Sequence, residues 1–435
     1  MALPIYASPL ERLWHYTYIV LCTAIFVFLI APILVVIPLS FNAEPYFTFT
    51  EAMLRFDPVE AEIWQSGTTL MAGLKTLCAV DFAGVGGPLM QAQGLESLFP
   101  MEELSIMGIV EVLPKYLHLK RRIREAAAAC LACQPAALIT IDSPDFCLRV
   151  AGLARVAMPK LRTIHYVAPS VWAWRPKRAE KMARHIDHVL ALLPFEPPYM
   201  EAAGMSCDFV GHPVVAEPRA SYDEAAAFRE THMIGPDQPL ALCLPGSRLG
   251  EVKRLAGRFD EALMRLRDRE PGLRVVVPTV RGVAPMVRAM TARWPVAPIV
   301  VEDSADKSAA FAAADIALAA SGTVSLELAA NRTPMVIAYD MAPLSRMIIG
   351  RMLKIDTVTL VNLVSETRAI PEFIGANCQP AAISRALLAL LEDPATQAEQ
   401  RAAMKNDPDF IAERSMYVVL KDWEQESAII LALWA

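Results

Sequence analysis

Charge is scarce in this sequence. Of its 435 residues, 20% are Asp, Glu, Lys or Arg, against 54% hydrophobic residues, and the mean hydropathy is +0.34. A chain of this length divides into two or three domains, and so apolar a balance implies that part of it meets lipid. A positive balance is missing too. The formal net charge of −6 excludes a general nucleic-acid binder, which would carry a basic surface. Zinc-ligand spacing is absent: Cys130 and Cys133 form a lone CxxC within AAAACLAC, with no second pair and no histidine at ligand distance. They read as core-facing thiols on a helix, and no structural metal is expected. The remaining cysteines (22, 78, 147, 207, 243 and 378) are scattered, mostly in apolar runs, as suits reduced thiols in a cytosolic protein.

Between His15 and Asn42 there is no Asp, Glu, Lys or Arg. The run Tyr18–Leu39 would span roughly 33 Å as a helix, enough for a hydrocarbon core of about 30 Å. Arg12 precedes it and Glu44 and Glu51 follow, which puts the amino terminus on the cytoplasmic side. Trp14, Tyr16 and Tyr18 sit where an interfacial aromatic belt would. One transmembrane helix is therefore expected; a signal peptide is the alternative, though a small-residue cleavage site is not evident.

From about Leu70 the chain alternates short β-rich runs with amphipathic helices, the pattern of a doubly wound parallel α/β fold. Strands are expected at 80–86, 136–142, 162–168, 188–194 and 207–211, then at 240–246, 273–279, 297–303, 314–320, 334–340 and 357–363. Leu113–Cys133 and Lys177–His185 read as helices. Two such sheets joined near His212–Pro218 make two Rossmann-like domains of GT-B type, with ligands at the carboxyl ends of the strands. The expected divisions are a membrane-spanning segment 1–66, a first domain 67–212, a second domain 213–395 and a helical tail 396–435.

Four motifs carry chemistry. In LPGSRLGEV (244–252) a strand ends, Gly246 permits a tight turn, and Ser247, Arg248 and Glu251 follow where a helix begins. Backbone N–H groups and a guanidinium so placed suit a diphosphate; an ordinary turn with a surface arginine is the alternative. In ASGTVSLELA (320–329) a strand stops at Ser321-Gly322-Thr323. Thr323 is the expected N-cap, and Glu327 lies on the same helical face. That is a second anion-ready turn, or simple capping. In TIDSPDF (140–146) Asp142 and Asp145 close a first-domain strand, placed for a general base or as turn and cap residues. In HYVAPSVWAWRPKRAEKM (165–182) Trp172, Trp174 and Arg175 set aromatic faces beside cations, fit for a sugar phosphate or for anchoring the core.

The chain from about Leu70 to Asp393 resembles the lipid-A-disaccharide synthase family. FAGVGGPLM, MEELSIMGIVEVLP, IDSPDF, HYVAPSVWAWRPKR, LPFE, FVGHP, LPGSR, ASGTVSLELA, PMVIAY and VTLVNL occur in the family's order. The resemblance implies an inverting, metal-independent glycosyltransferase without cofactor, working at the cytoplasmic face of the bacterial inner membrane. It would join UDP-2,3-diacylglucosamine to 2,3-diacylglucosamine 1-phosphate (lipid X), release UDP, and form a homodimer. It also implies Asp142 as catalytic base. Gly246, Ser247, Arg248, Glu251, Ser321, Gly322, Thr323, Glu327 and Asn362 would hold the UDP-sugar, with Trp172, Trp174 and Arg175 on the acceptor side. The lone DxD, Asp407-Pro408-Asp409, lies far from any expected strand end and reads as a turn. Leu113–Arg124 and Met341–Ile355 interleave basic and apolar residues, as a helix on an anionic bilayer or a half-buried one would.

Two departures stand out, one at the start and one at the end, where residues 406–435 do not match the family's wording. The family opens with a strand and a GExSGD loop; here the nearest remnant is Gln65-Ser66-Gly67-Thr68, and residues 1–58 resemble instead the start of a polyamine-type ABC transporter permease. No later stretch supplies the further spans that transport needs. A missing central strand would expose sheet edges, lower stability and leave activity open, so the rival readings are an inactive membrane-tethered fusion or relic, or a related UDP-sugar transferase.

Overall fold

The computed structural model describes residues 70–75, 79–104, 109–173, 176–212, 214, 219–247, 249–280, 282–341, 355–404 and 427–434. The expected membrane span at Tyr18–Leu39 and the permease-like segment lie outside them. Among the described residues no helix is long and apolar enough to cross a membrane. Two parallel sheets are built from the described residues from Leu70 onward.

The first sheet contains β1 (Ala79–Val85), β2 (Glu96–Ser97), β3 (Ala137–Ile141), β4 (Arg162–Tyr166), β5 (His188–Ala191) and β6 (Ser206–Phe209). The second contains β7 (Leu240–Leu244), β8 (Arg274–Pro278), β9 (Ile299–Val301), β10 (Ile316–Ala319), β11 (Met335–Tyr339) and β12 (Glu372–Ile374). Every pairing is parallel, in the order β12-β11-β10-β7-β8-β9 for the second sheet. Strands such as β3, β7 and β11 are buried at every position. That is why they read as unbroken apolar runs rather than alternating ones.

The helices are α1 (70–75), α2 (Pro88–Ala92), α3 (Ile109–Cys133), α4 (Pro144–Ala157), α5 (Lys177–Met182), α6 (Pro197–Glu201), α7 (Tyr222–Thr231), α8 (Leu249–Arg267), α9 (Ala284–Thr291), α10 (Ser304–Ala313), α11 (Val324–Ala330), α12 (Leu360–Val364), α13 (Pro380–Glu392) and α14 (Pro394–Ala403). Helix α8 shows why they dock. Val252, Leu255, Ala256, Phe259, Ala262, Leu263 and Leu266 recur at helical spacing and are all buried. Proline opens α2, α4, α6, α13 and α14, where its missing N–H costs no helical bond. Cys130 is buried in the first core and its thiol is pushed up to about 12 by burial.

The structure corrects two expectations. The run 357–363 is not a strand. Residues 355–359 carry no regular structure and α12 begins at Leu360. The Glu372 carboxylate accepts the Val358 and Thr359 N–H groups and the Thr357 hydroxyl, so this backbone pairs with a side chain instead of a sheet. Nor is the tail helical throughout. After α14, residues Ser427–Trp434 form β13, inserted between β1 and β3. The first sheet therefore runs β2-β1-β13-β3-β4-β5-β6. Leu433 pairs with Val85, and Trp434 pairs with Ile141. The position where a missing strand would leave two unpaired ladders is filled, from the far end of the chain.

Candidate functional site

Strands β7 and β10 are neighbours, with Ala319 paired to Leu244. Their carboxyl ends release the chain into two turns at the same edge. At the first, Gly246 has φ +113. A Cβ there would lie 2.6 Å from Glu251 Oε2 and 2.9 Å from Glu251 Cβ, so only glycine lets α8 bring that carboxylate back over the turn. The Tyr339 hydroxyl donates to Glu251 Oε1 at 3.4 Å. At the second turn Gly322 has φ 144, and Ser325 Oγ donates to its carbonyl at 2.8 Å.

These turns line one pocket with residues from β8 and α10. Gly246, Ser247 and Glu251 stand on one wall, Ser321, Gly322 and Glu327 on another, and Thr279, Val280 and Lys307 complete it. Lys307 Nζ meets Glu327 Oε2 at 2.7 Å, with the side chains 34% and 12% exposed. The Thr279 and Thr323 hydroxyls are buried without a hydrogen-bond partner. A buried hydroxyl left unpaired is costly, and these two lie in and beside the pocket.

Most of the expected donor-site residues therefore converge: Gly246, Ser247, Glu251, Ser321, Gly322 and Glu327 share the pocket. Arg248 lies outside the described residues, as do Trp174 and Arg175. Thr323 occupies the N-cap position of α11 but makes no side-chain cap bond, with φ −63 and ψ −23. Its helical backbone turns the hydroxyl away from the orphan N–H groups that an extended N-cap would reach. Asn362 is not a lining residue. It is buried, donates to Ile370 O at 2.9 Å and accepts Ile370 N–H at 3.0 Å. Both ends of its amide are spent holding the loop after α12.

Thr279, Val280 and Lys307 were not anticipated. Thr279 closes an expected strand, and that strand's place beside β7 was the available signal. For Lys307 the sequence held no local signal, since its partner Glu327 lies on another helix.

In the first sheet, β3 ends in a strained step. Asp142 and Ser143 have φ 46 and 40, left-handed values that an L residue adopts at a cost. The Asp142 N–H donates to Tyr166 O at 2.9 Å, which holds the step to the end of β4. Asp142 is half-buried, and Asp145, in the first turn of α4, pairs with Arg178 at 3.4 Å. Below them Thr140 Oγ1 donates to Ile164 O at 3.1 Å and meets His165 Nδ1 at 2.7 Å. Burial, with the Arg178 charge second, pushes His165 down to about 3, so this imidazole is neutral.

Trp172 takes the anchoring alternative. Its Nε1 donates to Glu196 Oε1 at 3.2 Å, and its ring stands edge-on to Phe195, 5.0 Å between centroids. Both rings pack on a core cluster that includes Leu244, Leu326 and Ile337 from around the second sheet. Glu196 also accepts the Leu192 and Leu193 N–H groups at 3.1 and 3.0 Å. Burial raises its carboxyl to about 7 against these bonds. Its LPFE motif was visible in the sequence, but nothing local revealed the buried carboxylate.

Helix α3 has a mixed face. Arg122 turns inward to Glu103 at 2.6 Å and Glu125 at 2.7 Å, while Leu117 is 78% exposed. Of the second basic–apolar stretch, Met341–Ile355, residues 342–354 lie outside the described residues. Among the described residues no group of three or more His, Cys, Asp and Glu is placed to hold a metal ion.

Known proteins resemble this chain in sequence, and others resemble it in fold. Residues 65–419 match the family model for lipid-A-disaccharide synthetase. The lipid-A-disaccharide synthase of Ruegeria pomeroyi is 61% identical over 340 residues, covering 76% of this chain and 84% of that protein. The enzyme of the same name from Rhodospirillum centenum is 48% identical over 336 residues, covering 77% and 84%. Among solved structures, a UDP-N-acetylglucosamine 2-epimerase from Listeria monocytogenes, so titled as putative, superposes with a TM-score of 0.57 at 13% identity, over 83% of this chain and 94% of that one. The UDP-GlcNAc 2-epimerase of Neisseria meningitidis bound to UDP-GlcNAc superposes with a TM-score of 0.53 at 10% identity, over 78% and 95%. At these identities the structures speak for the two-sheet GT-B fold alone. The family match begins at residue 65, so the permease resemblance of residues 1–58 gains no support from it.

Proposed function

The chain belongs to the lipid-A-disaccharide synthase family, and from that premise we propose a division of labour between its two sheets. It is a glycosyltransferase of lipid A biosynthesis. The second sheet holds the donor, UDP-2,3-diacylglucosamine, and the first holds the acceptor, lipid X. Glu327 accepts the hydroxyls of the nucleotide ribose. The turns at Gly246–Ser247 and Ser321–Gly322 offer backbone N–H groups to the diphosphate, with Arg248 supplying a guanidinium. Fixed N–H dipoles and cationic side chains stabilise charge as it builds on departing UDP.

The chemistry requires one proton acceptor. An acceptor hydroxyl oxygen attacks the anomeric carbon of the donor. The bond from that carbon to the diphosphate oxygen breaks with its electron pair going to UDP, and the hydroxyl proton passes to Asp142. Attack opposite to departure inverts the anomeric centre. The support for Asp142 is its position in the IDSPDF motif at the carboxyl end of β3, held in a left-handed conformation. A base so placed is worth roughly 10²–10⁴ in rate.

One observation carries this reading: two motifs about 75 residues apart close on one pocket at the ends of adjacent parallel strands, with Glu327 inside. Acylated substrates call for a lipid surface, so we place the enzyme at the cytoplasmic face of the inner membrane, tethered by the apolar run 18–39. Light scattering tests the homodimer. The purified full chain, given UDP-2,3-diacylglucosamine and lipid X, should form the disaccharide and release UDP. A competing reading, an inactive relic, draws on the absence of GExSGD. It prevails if wild type and Asp142→Ala both form no disaccharide while UDP still binds.

A further inference from the structure

We propose that Lys307 is a positioning residue for the donor: it holds Glu327 in the orientation that receives the nucleotide and neutralises that carboxylate as the diphosphate enters. The inference rests on the donor-pocket reading above.

Glu327 poses an electrostatic problem. It lines a pocket proposed to take a dianionic diphosphate, and Glu251 stands in the same lining. A carboxylate only 12% exposed has little water to screen it. Lys307 answers the problem in place. It rises from α10, on a different element from either turn, and its Nζ lies 2.7 Å from Glu327 Oε2 while also lining the pocket. Its ammonium lies over the Phe311 ring, 5.5 Å from the centroid, which limits the positions the cation can take. Helix α10 is itself fixed: Asp303 caps it, accepting the Ala305 N–H at 2.9 Å.

The arrangement has a specific chemical consequence. An ammonium has three donors. One is spent on Glu327 Oε2, which directs Oε1 away from Lys307 and leaves it to accept a hydroxyl of the donor. Thr279 lines the same pocket, with its hydroxyl buried beneath the surface. Lys307 therefore acts through Glu327 and not on the reacting atoms, so its loss should weaken donor binding without slowing the bound complex to match.

The test combines kinetics with a double-mutant cycle on the full chain. Lys307→Met should raise the KM for UDP-2,3-diacylglucosamine and the Kd for UDP about tenfold, with kcat changing far less, because one charged hydrogen bond is removed. Lys307→Arg should restore most of the affinity. In a Glu327→Gln background, Lys307→Met should add little, since the partner it positions is already gone. Thermal melts of all variants check that folding is intact. Additive effects, a fall in kcat without a change in KM, or failure of Lys307→Arg to rescue would overturn the positioning role while leaving the pocket assignment standing. Unchanged UDP affinity in Glu327→Gln would remove the donor-pocket reading itself, and this inference with it.

Discussion

Ala319 of β10 and Leu244 of β7 are register partners across two parallel strands, and that pairing is what brings Gly246 and Gly322 to one edge. The pocket is thus a property of strand order. Small changes at the turns should accordingly be felt as lost ligand affinity more than as lost fold.

Gly246→Ala is the sharpest case. The residue has φ +113 and the new methyl would press on Glu251 at 2.6 Å. We expect UDP affinity by calorimetry to fall by at least tenfold, with a stability loss of about 1–3 kcal/mol from the strained backbone. Unaltered UDP affinity would show that the turn does not touch the ligand.

At Asp142 the backbone and the chemistry separate. Asp142→Asn tolerates the left-handed step and keeps the shape, but it cannot take a proton, so disaccharide formation should drop about 10²–10⁴-fold. Asp142→Gly should be equally inactive yet melt higher than Asp142→Ala, because glycine relieves the φ of 46. A melting order with Ala above Gly contradicts the strained geometry.

Strand β13 offers a test of the first sheet. Ile430 pairs with Phe82 on one side and Ala137 on the other. Proline at 430 removes a backbone donor in the sheet interior and should cost about 3 kcal/mol or more. The expected result is a lower melting transition with UDP binding preserved at the second sheet. Identical melting of Ile430→Pro and wild type would mean that 427–434 does not occupy the slot.

Glu196 predicts a pH dependence. Burial lifts its carboxyl from 4.5 to about 7, so the folded state favours the protonated form. Its cost is absent below about pH 4.5, grows as the pH rises, and is complete above about pH 7. Glu196→Gln removes that ionisation. The unfolding free energy of the variant minus that of wild type should therefore increase with pH across this window, by about 3 kcal/mol in all. Taking the difference cancels the buried His165 and His212, whose lowered values act in the opposite direction on the acid side. A flat difference would place Glu196 in contact with water.

Particular residues show how far the chain could be read directly. Strands β3, β7 and β11 were legible because full burial in a parallel sheet demands continuous apolar runs, and α8 because its buried side chains recur every three or four positions. Gly246 and Gly322 were legible because turns at strand ends need a residue free of steric limits on φ. Residues 357–363 were misread, since their apolar pattern says nothing of the distant Glu372 carboxylate that captures the local N–H groups. The same holds for Asn362, whose motif position suggested a ligand while its amide is spent on Ile370.

The order of residues along the chain thus determined the alternating α/β elements and the two glycine turns, which depend on local backbone preference and short-range periodicity, and its ordered motifs carried the resemblance to the family. Three things were decided by tertiary structure. Segment 427–434 enters between β1 and β3, Lys307 meets Glu327 across two elements, and Asp142 is held left-handed against Tyr166. Each depends on groups far apart in sequence satisfying one another's hydrogen bonds or charges, and no local window of residues contains both partners.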